Sequence, residues 1–373
     1  MVEHQLPKLR VASSSLVSRS KCKGMKTVLK ILLVILVIVA CLGFRSYYQS
    51  GAFKSVVNHF EGTTQKIEGV AGGEDLTIDQ STGIAFVSSM DRWSARKLSD
   101  VHGAIFRLNL NDSVLTLSNL TANINFEFNP HGISLFQSSE GKKILFVINH
   151  KHAGNYVEIF EYRNDSLIHR ESISDPLMIS PNDLVGVGER SFYFTNDHNE
   201  KASTFRMIKD LLGIGTGNVI YFDGVKGIKT DVTGVRYANG ININNEGSEL
   251  YLAATSGKEV YVFDRDASGT LSKVGEISCD TGVDNIEVDT ENNLWIGCHP
   301  QLLKFLAHAK DEQKLSPSEI IRLTPTGKSQ FKQETIYIND GSEISASSVA
   351  ARFRNKLLIG PVFQSHLVVA TMR

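Results

Sequence analysis

The chain has 373 residues, of which 42% are apolar and 21% are charged, and its formal net charge at pH 7 is −1. This composition is that of an ordinary globular protein, large enough for one big domain or two smaller ones. The balanced charge and the lack of a basic stripe after the N-terminus exclude nucleic-acid binding as a function class.

The first predicted element is an apolar helix over residues 28–46, preceded by a basic tail over residues 1–27. From Ile31, about 14 residues run without a charge, which is short for a membrane span and suits the core of a cleaved signal peptide. An uncleaved signal anchor explains more, because Lys30 can reach the interface and Tyr47 and Tyr48 suit an aromatic belt. No clean small-x-small cleavage site follows the run. We therefore expect a single-pass type II membrane protein.

In that topology the basic tail is cytosolic, and the rest of the chain faces the lumen of the endoplasmic reticulum or the cell exterior. Three glycosylation sequons agree with it, because all lie after the anchor, at Asn111, Asn119 and Asn164. Two cysteines, Cys279 and Cys298, follow the anchor, and a domain of this size needs no disulfide scaffold. We expect both to be buried thiols.

After a linker over residues 47–62, residues 63–373 contain short runs of β-branched and aromatic residues separated by polar turns. One pattern recurs six times: a polar opening residue or pair, a strand, a turn and a second strand. The six copies begin at Glu74, His131, Asn182, Asn239, Asp284 and Ser347. Six copies in about 320 residues give about 53 residues per copy, which is close to the size of a propeller blade.

We therefore predict an all-β fold, a six-bladed β-propeller. A pair of β-sandwich domains is the alternative, but it does not explain the recurring polar openings. In a propeller the innermost strands line a central tunnel, so the openings converge at one rim. They are Glu74–Asp75, His131, Asn182–Asp183, Asn239, Asp284–Asn285 and Ser347–Ser348.

Three of these openings supply carboxylates, and Asn182, Asn239 and Asn285 add amide oxygens. So much negative charge near one axis is costly unless a cation compensates it. Numerous oxygen ligands suit Ca²⁺ better than Mg²⁺ or Zn²⁺. The alternative is that each Asx side chain only caps the backbone of its strand.

Several ordered motifs resemble those of the paraoxonase/arylesterase family, from about residue 63 to the C-terminus. They are EDL from Glu74, NPHGIS from Asn129, VINH from Val147, NDL from Asn182, TNDH from Thr195, ANGIN from Ala238, VDN from Val283, WIGCHP from Trp295 and LLIG from Leu357.

The resemblance implies a six-bladed propeller with two calcium ions that hydrolyses lactones and aryl esters. It implies a catalytic calcium site and a deeper structural one. The implied ligands of the first are Glu74, Asn182, Asn239, Asp284 and Asn285, and those of the second are Asp75, Asp183 and the carbonyl of Ile133. It also implies a catalytic histidine dyad of His131 and His150, with Asp197, His198 and His299 nearby. The alternative for His131 is a hydrogen-bonded core histidine.

Two departures from the family pattern stand out. Thr63 and Val369 replace the cysteines that link the first and last strands in vertebrate members, so we expect the ring to close without a covalent link. Residues 199–217 differ from the apolar lid helix of lipoprotein-bound members, and we expect a short amphipathic helix over the tunnel mouth, with Met207, Ile208, Leu211 and Leu212 on one side.

Two functions fit this pattern. The first is a membrane-held, calcium-dependent hydrolase of small lactones and aryl esters. The second is non-catalytic: the long basic tail, the uncleaved anchor and the missing disulfide resemble membrane-tethered nematode paraoxonase-like proteins that assist assembly of degenerin-type sodium channels. In that case the partner is a channel subunit and calcium is structural. The complete dyad favours the enzyme.

Overall fold

The computed structural model describes residues 14–98, 101–201 and 203–373, and the chain forms two compact units that divide between Gln49 and Ser50. In the first unit, helix α1 (Ser14–Gln49) contains the predicted anchor. Its stretch Met25–Gln49 has a mean hydropathy of 2.9, and it is long and apolar enough to cross a membrane. A signal sequence near an N-terminus shares these properties. Residues 1–13 of the predicted basic tail lie outside the described residues.

The described residues of the second unit form short helices and 25 strands. The strands up to the middle of the unit are β1 (His59–Phe60), β2 (Gly62–Glu68), β3 (Gly73–Asp79), β4 (Ile84–Ser89), β5 (Ala104–Asn109), β6 (Ser118–Asn119), β7 (Pro130–Gln137), β8 (Lys143–Lys151), β9 (Gly154–Arg163), β10 (Ser166–Ile173), β11 (Pro181–Gly186), β12 (Phe192–Asn196), β13 (Gly217–Phe222) and β14 (Gly227–Val235). The remaining strands are β15 (Ala238–Ile243), β16 (Glu249–Ala254), β17 (Glu259–Arg265), β18 (Leu271–Ser278), β19 (Gly282–Val288), β20 (Leu294–His299), β21 (Ser318–Gly327), β22 (Gln330–Asn339), β23 (Ser347–Phe353), β24 (Lys356–Pro361) and β25 (His366–Met372). The helices are α2 (Arg92–Ala95), α3 (Thr204–Leu212) and α4 (Leu302–Lys310).

These strands form six antiparallel sheets, each built around four strands. Four sheets take consecutive strands, namely β3–β6, β7–β10, β11–β14 and β15–β18. The fifth joins β19–β22 with the short β1 at its outer edge. The sixth has the order β2-β25-β24-β23, so the first long strand of the unit closes the ring against the last strand of the chain.

The innermost strands of the six sheets contact one another in a closed cycle, from β3 through β7, β11, β15, β19 and β23 back to β3. This arrangement is a six-bladed β-propeller and confirms the predicted fold. Each predicted copy begins within two residues of the start of an inner strand. The predicted turns connect the first and second strands of their blades, as at Thr82–Gly83 between β3 and β4.

Apolar side chains fill the space between each pair of neighbouring blades. In the described part of the unit, six clusters of buried residues each draw on two adjacent sheets. Examples are Phe146 of one blade with Phe194 of the next, and Leu76 of the first with Leu358 of the last. No blade can bury both of its faces alone, so the ring folds as one unit.

The ring closes through backbone pairing between β2 and β25. Thr63 lies opposite Thr371, and Val369 lies opposite Gln65. Thr63 and Val369, which the family resemblance singled out, are therefore not directly opposite each other. Cys279 and Cys298 are buried free thiols.

The compact unit begins at Ser50, inside the segment predicted as a linker. Strand β1 pairs with β22, and the Lys54 ammonium lies 3.0 Å from the carboxylate of Glu319. The C-terminal part of the predicted linker is thus attached to the fifth blade. Helix α3 confirms the predicted short helix and exposes Phe205, Ile208 and Leu212. The side chains of Met207 and Leu211 lie outside the described residues. The position of α3 over the tunnel mouth stays a prediction.

Candidate metal and catalytic centre

Every inner strand is irregular at its first residues. The pairing with the second strand of the blade shifts register at Gly73/Asp75, Pro130/Ile133, Pro181/Leu184, Ala238/Ile241, Val283/Ile286 and Ser347/Val349. A β-bulge leaves residues unpaired and re-aims their side chains. The predicted opening residues lie within or at the border of these six interruptions, so the backbone frees the polar side chains from the regular alternation of a strand.

Two glycines show how closely the inner strands approach one another at this level. A Cβ added to Gly132 would lie 2.6 Å from the Cα of Asp183, and one added to Gly240 would lie 2.4 Å from the carbonyl oxygen of Asp284. Only glycine fits at such a distance. The close approach brings polar residues of successive blades within hydrogen-bonding reach.

Glu74 lies at the centre of a first polar cluster, which we call the upper cluster and which also contains His131, Arg92 and Asn285. Its carboxylate is 3.3 Å from Nε2 of His131, 3.4 Å from the guanidinium of Arg92 and 3.3 Å from the amide nitrogen of Asn285. Burial alone raises the pKa of Glu74, but the neighbouring His131 and Arg92 outweigh it and lower the pKa to about 2. The carboxylate is therefore ionised, with the guanidinium of Arg92 and the imidazole of His131 beside it.

Asp284 supplies the second carboxylate of this cluster. Its Oδ2 is 2.7 Å from Nε2 of His299, and its Oδ1 contacts the amide nitrogen of Asn239. Burial raises the pKa of Asp284, and the contact with His299 reduces that rise. Ser348 of the sixth blade donates to the backbone carbonyl of Glu74 at 2.6 Å. The structure thus brings together residues from the first, fourth, fifth and sixth blades.

Asp75 and Asp183 form a second, related pair. Asp75 accepts from the backbone N–H of Leu76 at 2.9 Å and from that of Ile133 at 2.6 Å. Asp183 repeats the pattern with Leu184 at 2.7 Å and Ile241 at 2.8 Å. Burial, followed by mutual repulsion with Asp183 and Glu74, raises the pKa of Asp75 well above its usual range.

Burial also raises the pKa of Asp183. The carboxylates of Asp75 and Asp183 are therefore more stable when protonated, or when a cation compensates their charge, than when ionised without a cation. Each of them also bridges its own inner strand to the inner strand of the next blade, so Asp75 joins the first blade to the second and Asp183 joins the third to the fourth.

At the openings of the inner strands, three buried amide oxygens have no hydrogen-bond partner among the described residues: Oδ1 of Asn182, Asn239 and Asn285. The amide nitrogens of Asn239 and Asn285 are occupied, by Thr255 and by the carbonyl of Glu74 respectively. Buried polar atoms are almost always paired, so three unpaired oxygens at equivalent bulges need an explanation.

Among the described residues, no group of three or more His, Cys, Asp and Glu side chains is arranged to hold a metal ion. The candidate ligand set instead combines the carboxylates of Glu74 and Asp284 with amide oxygens. Such a set fits a hard cation and does not resemble a zinc site.

His131 and His150 form a hydrogen-bonded pair beside Glu74. Nδ1 of His131 is 3.0 Å from Nε2 of His150, whose own Nδ1 is 2.8 Å from the side-chain oxygen of Asn155. Burial, together with the nearby His131, lowers the pKa of His150 to about 4, so its ring is neutral near pH 7. The dyad implied by the family resemblance therefore exists as a geometric pair.

Comparison with known proteins decides the family. A family model described as Arylesterase matches residues 56–370. The serum paraoxonase/arylesterase 1 of Rattus norvegicus is 33% identical over 355 residues, covering 92% of this chain and 99% of the relative. The chain belongs to the paraoxonase/arylesterase family. The serum paraoxonase/arylesterase 2 of Gallus gallus is 35% identical over 310 residues, covering 81% of this chain and 86% of the relative.

A solved structure also shares the architecture of this paraoxonase-family chain. A gluconolactonase from Xanthomonas campestris has a TM-score of 0.51 and 13% identity, covering 85% of this chain and 94% of its own. At that identity the likeness shows the fold alone.

A second polar group lies near the dyad of this paraoxonase-family protein. Oδ1 of Asp197 is 3.0 Å from Nδ1 of His198 and also contacts the hydroxyl of Ser180. Burial acts to raise the pKa of Asp197, but the hydrogen bond with His198 outweighs burial, so the net pKa of Asp197 is lowered. Tyr237 packs edge-on against His198 with a φ of 61°, a conformation that a tyrosine rarely adopts. Sequence reasoning missed Tyr237, because a positive φ leaves no mark in a residue pattern.

An aromatic cluster lies next to the carboxylate side of the site, and sequence reasoning missed it as well. Phe305 of α4 stacks on His299 with ring centroids 4.0 Å apart. Trp93 of α2 stacks on Phe363 at 5.3 Å and meets His308 edge-on at 5.1 Å. These residues belong to connections outside the repeated strands, where no periodic pattern could identify them.

Proposed function

We propose that this chain is a calcium-dependent hydrolase of lactones and aryl esters, held at a membrane by α1. Its family membership indicates a hydrolase of the paraoxonase type. The observation that carries the calcium dependence is the set of unpaired, buried oxygens of Asn182, Asn239 and Asn285 beside two buried carboxylates. A bound hard cation satisfies those oxygens and offsets the charge of Glu74 and Asp284.

In this proposal the upper ion is held by Glu74, Asn182, Asn239, Asp284 and Asn285. A deeper ion is held by Asp75, Asp183 and the carbonyl of Ile133. The deeper pair gains most from a cation, because burial raises the pKa of both carboxylates while each still accepts two backbone N–H bonds.

When bound, calcium supplies Lewis acidity toward the carbonyl oxygen of an ester or lactone. The protein residues supply the proton transfer. His131 accepts a proton from an attacking water, and His150 holds the ring of His131 in place. The aromatic cluster of Trp93, Phe305 and Phe363 gives a flat apolar surface close to His299, which suits an aryl leaving group.

The membrane part of the proposal rests on α1. Its stretch Met25–Gln49 is fully apolar apart from residues near its ends, and Lys26 and Lys30 lie at the N-terminal side. We propose a type II orientation, with the propeller in the lumen or outside the cell. The three sequon asparagines are exposed, as glycosylation requires. Glycosidase treatment of the protein from eukaryotic cells tests this topology, because a shift that is absent in the triple Asn→Gln variant reports luminal exposure.

The decisive experiment uses the full chain in detergent with phenyl acetate and an aromatic lactone as substrates. We expect hydrolysis that chelation abolishes and calcium restores. His131→Gln is expected to lower kcat by about 100-fold or more. His152→Gln is the matched control, because His152 lies on the same hairpin but is exposed and pairs with Glu127. Hydrolysis that survives both chelation and His131→Gln contradicts the mechanism.

A further inference from the structure

The hairpin between β8 and β9 places an amide directly behind the histidine dyad. Lys151 pairs with Gly154 across a two-residue turn, and the next pair in the ladder is His150 with Asn155. The amide of Asn155 is therefore opposite the ring of His150. Its side-chain oxygen is 2.8 Å from Nδ1 of His150.

The orientation of this amide is fixed by its other end. The nitrogen of Asn155 donates to the backbone carbonyl of Met178 at 2.9 Å and approaches that of Ile179 at 3.3 Å. Rotating the amide by a half turn would place its oxygen against two carbonyl oxygens, which have no proton to donate. The oxygen of Asn155 must therefore face His150.

That orientation determines where the protons of the dyad lie. An amide oxygen only accepts, so Nδ1 of His150 must carry a proton. The neutral ring then has a free electron pair on Nε2, which lies 3.0 Å from Nδ1 of His131. His131 must in turn carry its proton on Nδ1. Its Nε2 is the atom that faces Glu74, at 3.3 Å.

We infer that Asn155 is a positioning residue that fixes the tautomer of His150, and thereby requires Nδ1 of His131 to donate its proton to Nε2 of His150. The hydrogen bonds run in one direction, from His131 through His150 and Asn155 to the carbonyls of the segment that precedes β11. We call this direction of donation the polarity of the hydrogen-bond chain. Its catalytic meaning rests on the proposed hydrolase function, but the polarity itself does not depend on that function.

The test replaces the acceptor and reads the tautomers directly. In Asn155→Leu, a proton on Nδ1 of His150 would be buried without an acceptor, which costs about 1–3 kcal/mol. The cheaper arrangement moves that proton to Nε2, which then donates to Nδ1 of His131 and leaves the proton of His131 on Nε2. Loss of one amide oxygen is thus expected to reverse both rings.

Long-range ¹H–¹⁵N spectra of the full chain in detergent, with ¹⁵N-labelled histidine at pH 8, distinguish the two tautomers of each ring. Peaks are assigned from their loss in His131→Gln and His150→Gln. We expect both rings to be protonated at Nδ1 in the wild type, and at Nε2 in Asn155→Leu. Asn155→Asp keeps an acceptor oxygen and is expected to keep the proton on Nδ1 of His150.

Ser174→Ala is the matched control, because Ser174 donates to the backbone carbonyl of Asn155 at 3.0 Å without touching the dyad. It is expected to give the wild-type spectrum. Phenyl acetate hydrolysis, measured in parallel, should show a kcat about 100-fold lower in Asn155→Leu with little change in KM.

A wild-type spectrum with His150 protonated at Nε2 overturns the inference, and so does an Asn155→Leu spectrum in which both rings are unchanged. If the spectra behave as expected but no variant hydrolyses ester or lactone, the assigned polarity stands and the proposed hydrolase function fails.

Discussion

Arg92 makes opposing contributions to the fold and to the proposed calcium site. Its guanidinium is 3.4 Å from Glu74 and lies 3.2 to 3.4 Å from the carbonyls of Gly72, Met90 and Val362. It therefore links the first inner strand to the loop after β4 and to the chain beyond β24. It is also a cation beside a proposed calcium ligand.

The stability part of the prediction follows from the geometry. At 3.4 Å and an effective dielectric of about 20, the attraction between Arg92 and Glu74 is about 5 kcal/mol before desolvation. Only 19% of the Arg92 side chain is exposed, so screening by water removes only part of it. Breaking a buried pair on one side costs about 3–5 kcal/mol. We expect Arg92→Met to lower the free energy of unfolding by about 3 kcal/mol in the presence of a chelator.

The calcium part has the opposite sign. Without Arg92, Glu74 has one cationic neighbour fewer, and a calcium ion no longer competes with the guanidinium for that carboxylate. We expect the apparent Kd for calcium to fall by about tenfold, which corresponds to about 1.4 kcal/mol. The variant should therefore be less stable than the wild type without calcium, and closer to it when calcium is saturating.

Urea unfolding followed by circular dichroism, and calorimetric calcium titration, measure the two effects on the full chain in detergent. Arg190→Met is the matched control, because Arg190 forms an exposed pair with Glu171 and its loss should cost less than about 1 kcal/mol. Equal losses of stability in the two variants, or weaker calcium binding in Arg92→Met, would refute this reasoning.

Three further predictions concern other parts of the propeller. Glu158 is fully buried and lies 2.7 Å from the ammonium of Lys151, so Glu158→Gln should cost about 3 kcal/mol in urea unfolding at pH 7. Burial acts to raise the pKa of Glu158, but Lys151 and the other hydrogen-bond partners of the carboxylate outweigh burial, so the net pKa is lowered. The stability that this carboxylate contributes is therefore full above the ordinary carboxyl pKa and is lost as pH falls. The difference in unfolding free energy between Glu158→Gln and the wild type should accordingly shrink at pH 4. Trp93→Ala removes the stack on Phe363 and should raise KM for phenyl acetate several-fold with a smaller change in kcat, whereas an unchanged KM places the aryl group elsewhere. Chelation should lower the melting temperature of the wild type, and much less that of Asp183→Asn, which already lacks one buried charge of the deeper pair.

The fold could be predicted because a propeller repeats its strands. The openings from Glu74 to Ser347 recur at intervals that a blade requires, and each lies within two residues of the start of an inner strand. The bulges at those starts could not be read from the pattern, since nothing in the residue types shows that a ladder shifts register. The pattern therefore identified which residues meet, and the backbone irregularity explains how they can meet.

Other parts of the site could not be read from the repeated pattern. The dyad of His131 and His150 came from family resemblance, because His150 ends a second strand and opens no copy. Asn155, Trp93 and Tyr237 occupy a hairpin, an inserted helix and a strained position, each of which is defined only in three dimensions. The channel-subunit partner, the cellular compartment and the ligand assignments stay predictions.

The propeller separates the residues that stabilise it from those that carry its chemistry. The second and third strands of each blade pair without a register shift, and apolar clusters fill the space between blades, while each inner strand is bulged at the same level. Ladder hydrogen bonds given up at the six bulges are replaced by polar contacts between blades, such as Asp75 with the N–H of Ile133 and Asp183 with that of Ile241. These contacts hold neighbouring inner strands in register, so the carboxylates near the axis belong to the fold as well as to the site. A cation that neutralises them should therefore stabilise the ring itself, and calcium removal should weaken the closure between blades before it disturbs the strands within a blade.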